Sequence, residues 1–171
     1  VGYERRFSPA LHAVQQGEQP FVDFILEGQP EPPVYFARMK SLNKIGAPGL
    51  GGLPQPRELS ADDLAAAVNR SEITIVDTRA SRSDFYAGHL QGSIYAPVNK
   101  RFSGFVGSYV DPAQTIYVIA ESDEVEEAVR NFIRIGYDNI EGYATPAVLA
   151  TVAGLTKTPV TTFAKMENLD R

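Results

Sequence analysis

The run IYVIAESDEVEEAVRNFIRIGY, residues 116–137, constrains the fold more than any other part of the chain. It opens with a short apolar, β-branched stretch, the mark of a buried strand. A tight polar turn follows, and then a helix whose apolar residues recur at helical spacing, closed by Gly136 and an aromatic. In α/β enzymes such a strand-to-helix turn often carries a nucleophile, because the first amides of the helix stabilise negative charge. This turn carries Ala120, Glu121, Ser122, Asp123, Glu124 and Val125. A cradle suited to anions is filled with carboxylates.

The same strand–helix grammar recurs from Leu59 onward. Ser60 followed by Asp63 reads as a capping box, and ADDLAAAVNR as a helix of Ala-rich propensity. Ile73–Val76 is a strand that runs into Asp77, Thr78 and Arg79. SRSDFYAG is a short helix that stops at Gly88, and His89 leads into a strand at Ser93–Ala96 closed by Pro97. Residues 99–114 read as polar, with aromatics and turn residues. After the strand at 115–120, the helix is expected from Asp123 to Ile135, then a strand at Asn139–Tyr143 and a last helix, PAVLATVAG, ending at Gly154. Strands alternating with helices specify an α/β fold, with a mainly parallel sheet and right-handed crossovers.

The first 56 residues differ in character. Ser8 and Pro9 stand at the N-cap and first position of a helix, and Phe21–Leu26 is a second apolar run ending near Gly28. Residues 29–56 are rich in proline and glycine, and only Tyr35–Lys44 has the spacing of a short docked helix (Tyr35, Phe36, Met39, Leu42). The stretch is expected to hug a surface, since its aromatics would otherwise lie bare.

Composition excludes several classes. The net charge is −5, and Arg5-Arg6 reads as a solvated basic doublet, which argues against a nucleic-acid partner. No apolar run approaches the ~20 residues of a membrane span, and no secretory signal is visible, so a cytoplasmic protein without a membrane partner is expected. The chain has no cysteine, which removes disulfides, thiolate metal sites and cysteine nucleophiles together. It begins at Val1 and stops just after TPVTTFAKMENLDR, which reads as a piece of something larger.

Two resemblances follow. The order Ile75-Val76-Asp77-Thr78-Arg79, then Asp84-Phe85-Tyr86-Ala87-Gly88-His89-Leu90-Gln91-Gly92-Ser93, and finally Ile135-Gly136-Tyr137-Asp138-Asn139-Ile140, resembles the rhodanese domain over roughly 59–150. It implies a three-layer α/β domain with a mainly parallel sheet of about five strands. In active members the strand matching 115–120 ends in a cysteine that takes up sulfane sulfur. The matching position here is Ala120, so the resemblance implies a degenerate site at 120–125 without catalysis. Asp77, Arg79 and His89 are expected to support its loop.

The second resemblance lies in GYERRFSPAL and GQPEPPVYFARMKSLNKIGAPGLGGLP, which look like the C-terminal tail of a metallo-β-lactamase-fold domain, as in persulfide dioxygenase–rhodanese fusions. It implies three segments: 1–56 as that tail and a connector, 57–154 as a degenerate rhodanese-like domain, and 155–171 as a linker toward a second rhodanese domain. The lactamase fold's His-x-His-x-Asp-His run does not occur in this chain, so Fe or Zn is expected only in an upstream domain and no cofactor or metal in this one. The implied partners are those two domains of the parent, with a homo-oligomer as a further expectation. The parent would be a persulfide dioxygenase, a metal-dependent hydrolase or a sulfurtransferase.

Each residue also has a plainer role. His89 fits a structural Gly-His turn, His12 a helix surface or core, and Ser122 an N-cap better than a nucleophile lacking a base. The acidic stretch 121–127 is either solvated or a recognition surface for a basic partner. The leading expectation is an inactive docking module, followed by a regulatory protein-binding domain. An enzyme of unconventional chemistry ranks last, since no nucleophile–base pair or metal cluster can be assembled from the sequence.

Overall fold

The computed structural model describes residues 2–29, 32–33, 35–47 and 49–157. The chain divides into two compact units, Val1–Pro32 and Pro33–Arg171. The expected linker at 155–171 lies largely outside the described residues.

The first unit is helical, with α1 at Gly2–Phe7, α2 at Pro9–Gln16 and α3 at Glu18–Leu26. Ser8 stands at the N-cap of α2 in extended conformation, yet its hydroxyl makes no capping bond. Gly17 (φ 123°) joins α2 to α3 in a backbone conformation that favours glycine. Ala13 is the one buried residue of these three helices, while Tyr3, Phe7, Val14 and Leu26 are at least half exposed.

The second unit is a three-layer α/β domain. Its five strands are β1 (Arg57–Glu58), β2 (Ile73–Asp77), β3 (Ile94–Tyr95), β4 (Thr115–Ile119) and β5 (Ile140–Ala144). They lie in the order β1-β5-β4-β2-β3, and every pair is parallel. Alternation along the two central strands sends side chains to opposite faces. Val76, Ile116 and Val118 pack on one side with α7 (Phe102–Tyr109) and α8 (Val125–Ile133). Ile75, Tyr117 and Ile119 pack on the other with α5 (Ala61–Ala67) and α9 (Pro146–Leu149). Helix α8 buries Val125, Ala128, Val129 and Phe132, the i, i+3, i+4, i+7 stripe expected of a helix lying on a sheet.

Two further helices complete the unit: α4 (Tyr35–Ile45) and α6 (Arg82–Ala87). The capping box of α5 is formed, with Asp63 N–H donating to Ser60 Oγ at 3.1 Å and Ser60 N–H to Asp63 Oδ2 at 2.9 Å.

Three sequence expectations need correction. Residues 102–109 are helical, because Phe102 and Val106 give the segment a buried face despite its two glycines. The last helix ends at Leu149, well short of Gly154. Helix α8 begins at Val125, its N-cap is Glu124 and no side chain caps it, so Ser122 is not the N-cap. Among the described residues no helix is long and apolar enough to cross a membrane.

Candidate functional site

The order of the strands fixes where a site can lie. From β2 the chain crosses to β3 on one side, and from β4 to β5 on the other. The C-terminal ends of β2 and β4 therefore flank the switch point at which open parallel sheets gather their sites. Two loops meet there, 77–81 after β2 and 120–124 after β4.

The first loop is held by a dense hydrogen-bond set. Arg79 lies over Asp77, with Nε donating to Oδ1 at 3.0 Å and Oδ2 at 3.1 Å, and a terminal nitrogen donating to Oδ2 at 2.7 Å. The same terminal nitrogen donates to the Gly88 carbonyl at 2.8 Å, tying the loop to the end of α6. Asp77 is 1 % exposed and Arg79 14 % in their side chains, so each charge relies on the other. Between them, Thr78 donates its N–H and its hydroxyl to the Ile119 carbonyl, at 3.0 and 2.7 Å. That residue stitches β2 to β4 at the site itself. The sequence reading passed over it, although it sits inside the Asp-Thr-Arg run.

His89, next to the Gly88 that Arg79 binds, is buried. Its ring stacks on Phe85 with centroids 4.0 Å apart, and Nδ1 lies 2.8 Å from the Phe85 carbonyl. A carbonyl only accepts, so Nδ1 carries the proton. The His89 backbone exchanges two hydrogen bonds with Thr156. These contacts hold the ring and the backbone of His89 in place.

The second loop holds Ala120, 1 % exposed, whose amide donates to the Ala144 carbonyl at 3.1 Å. Glu124 N–H closes a turn on the Glu121 carbonyl at 2.9 Å, and α8 starts immediately after. Glu121, Ser122, Asp123 and Glu124 are all exposed, while Val125 turns inward. Glu126 and Glu127 extend the acidic face into the first turn, with Glu126 paired to Arg130. Carboxylates are favourable at a helix N-terminus, and their negative charge disfavours a bound anion there.

Between the loops lies a small cavity of about 100 Å³ lined by Thr78, Ala80, Val98, Glu124 and Glu127. A second, of about 320 Å³, has Ser122, Glu126 and Tyr143 on one side and Pro54–Pro56 of the connector on the other. Among the described residues no hydrogen bond joins the Thr78 or Ser122 hydroxyl to a carboxylate lining either cavity, and Thr78 donates instead to the Ile119 carbonyl. Among the described residues no group of three or more metal-ligating side chains is assembled.

A family model, the rhodanese-like domain, matches residues 60–145, just over half of the chain. The chain belongs to this family. The match takes in strands β2 to β5 and both loops, and this chain has no cysteine anywhere in its sequence. No curated protein matches the chain in sequence. Among solved structures, a metallo-beta-lactamase from Staphylococcus aureus subsp. aureus COL is 32% identical, with a TM-score of 0.65, over 85% of this chain and 39% of that one. The chain thus spans about two fifths of that protein's length. Wild-type EanB is 21% identical, with a TM-score of 0.43, over 52% of this chain and 24% of EanB. An EanB variant in complex with ergothioneine is 19% identical, with a TM-score of 0.48, over 60% and 28%.

Proposed function

We propose that this rhodanese-like domain no longer transfers sulfur and serves as a docking module within a metallo-β-lactamase-fold/rhodanese fusion of sulfide or persulfide metabolism. One observation carries the reading. The strand end that would have to present a thiolate presents the buried methyl of Ala120, and the turn beyond it is ringed by exposed carboxylates. A methyl group cannot hold sulfane sulfur, and the carboxylates repel thiosulfate and persulfide alike. The likeness to a longer metallo-beta-lactamase supports a fused parent, as do the bare apolar side chains of the N-terminal helices. In this reading residues 1–56 are the lactamase-fold tail and connector, 57–154 the rhodanese-like module and 155–171 the approach to a second one. Asp77, Arg79 and His89 support the degenerate loop, any Fe or Zn belongs to the lactamase-fold domain, and the parent works in the cytoplasm.

Cyanide-dependent sulfur transfer from thiosulfate tests the loss of activity. The chain is expected to give only the uncatalysed background, and turnover above it overturns the proposal. A second reading makes the acidic turn a recognition surface, favoured by the exposure of Glu121, Asp123, Glu124 and Glu127 on one helix terminus. It expects Glu124→Lys with Glu127→Lys to abolish capture of a basic partner, and undiminished capture would end it.

A further inference from the structure

After α9 the chain returns to the first site loop. Thr156 lies antiparallel to His89, its N–H donating to the His89 carbonyl at 2.8 Å and its carbonyl accepting from the His89 N–H at 3.0 Å. Leu155 packs on the core cluster that holds Leu90 and Leu149, and comes up against Gly88. A Cβ at 88 would stand 3.2 Å from Leu155 Cδ1 and 3.7 Å from its Cβ. Gly88 is extended (φ −177°), so its backbone suits any residue, and Leu155 is what a side chain there would meet. The carbonyl of the same glycine takes the 2.8 Å bond from Arg79, whose other contacts hold Asp77. Contact therefore runs unbroken from Leu155 and Thr156, through Gly88 and His89, to Arg79 and Asp77.

The two ends are held unequally. Asp77 closes β2, an interior strand, with its side chain 1 % exposed. The strap pairs through one residue rather than a ladder, and Leu155 is only half-buried. A segment with so few contacts opens at far lower free energy than the sheet it lies on. Once it opens, the Gly88–His89 turn is left to the buried Leu90 and to α6, a helix of six residues. We propose that residues 155–156 are a releasable latch on the 77–81 loop. With the strap seated, Gly88 is fixed and Arg79 is shared between it and Asp77. With the strap drawn off, the turn shifts, Arg79 loses its second acceptor, and the loop loosens at the switch point of the sheet. A partner or neighbouring domain that engages the chain beyond Lys157 thereby controls the order of this loop. The latch does not depend on whether the domain transfers sulfur.

Amide exchange followed by NMR on the full chain reads the latch. Thr156→Pro removes the strap's donor, and Leu155→Ser removes its packing. Each is expected to speed exchange of the Arg79 amide, which donates to Asp77 Oδ1, by about tenfold. The Ala120 amide, bonded to the Ala144 carbonyl, is expected to keep its wild-type rate. A freely exchanging His89 amide beside an unchanged Arg79 amide overturns the proposal. Equal acceleration at Ala120 overturns it too, because the strap then opens only with the whole fold. The reverse experiment does not rely on the strap variants folding. Asp77→Asn with Arg79→Met removes the Gly88 bond without leaving a buried charge, and by reciprocity it is expected to speed exchange of the Thr156 amide several-fold. An unchanged Thr156 rate in that protein refutes the latch.

Discussion

Gly107 in α7 faces the ring of Tyr35, the first residue of α4, at a distance no side chain would permit. A Cβ built at 107 overlaps Tyr35 Cδ1 outright and lies 2.5 Å from Cε1 and 2.7 Å from Cγ. Gly107→Ala therefore forces the ring aside, and overpacking of this kind costs about 1–3 kcal/mol. The new alanine returns about 1 kcal/mol of helix propensity. An overlap this deep stands at the upper end of the overpacking range, about 2–3 kcal/mol, so the net loss is about 1–2 kcal/mol, or roughly 2–8 °C in Tm for a unit of this size. With Tyr35→Ala already in place the obstacle is gone, and the same substitution becomes stabilising by about 1 kcal/mol. Urea unfolding of the four proteins by far-UV circular dichroism gives the cycle, with an expected coupling of about 2–3 kcal/mol. An equal loss with and without the Tyr35 ring would refute the placement of α4 on α7, and with it the reading of residues 35–45 as a docked part of the domain.

Other outcomes follow from the site and its surroundings. Arg79→Met leaves the Asp77 carboxylate buried without its partner and is expected to cost about 3–5 kcal/mol in chemical unfolding, whereas Asp77→Asn with Arg79→Met together should recover much of it. Ala120→Cys should restore a thiol but not sulfur transfer, since the surrounding carboxylates disfavour the thiolate. Its alkylation by iodoacetamide should accelerate at neutral pH when Glu121, Asp123 and Glu124 are changed to the amides. The Arg57 guanidinium, followed by the Ser60 amide and hydroxyl, holds the Asp63 carboxyl well below the usual carboxylate range. A depressed folded-state pKa gives stability that is present above the unfolded value and lost as pH falls through the folded one. Asp63→Asn should therefore flatten the acid limb of the Tm–pH curve, with the largest gap from wild type above pH ~4. Burial raises the pKa of Tyr137, whose hydroxyl donates to the Val110 carbonyl at 2.9 Å. That contribution is complete below pH ~10 and is lost as the medium becomes more alkaline, so Tyr137→Phe should be less stable at neutral pH and less sensitive to alkali.

Much of this architecture could be read directly from residue pattern. The runs at 73–77 and 115–119 are β-branched, bounded by turn residues and buried on both faces, so no other element type suits them. Ser60 with Asp63, and the apolar stripe from Val125 to Phe132, mark α5 and α8 equally well. Helix α7 was hidden because Gly104, Gly107 and Ser108 depress its propensity. Its glycine at 107 answers to a partner, Tyr35, distant in sequence and invisible to local pattern. Strand β1 was hidden for a related reason, being two charged residues beside Pro56 that become a strand only because β5 is available to pair with them. At the site, the identity of Ala120 and the acidity of its turn were plain. The contacts of Thr78 with Ile119 and of His89 with Thr156 were not, since both depend on where the chain returns in space.

The two outer strands, β1 and β3, are each two residues long, with Pro56 directly before one and Pro97 shortly after the other. Edges this short offer too few free amides and carbonyls to template another strand. A domain held at high local concentration beside other sheet-containing domains faces that hazard continuously. Here the three long strands are all interior, so the sheet offers a neighbouring chain little to pair with.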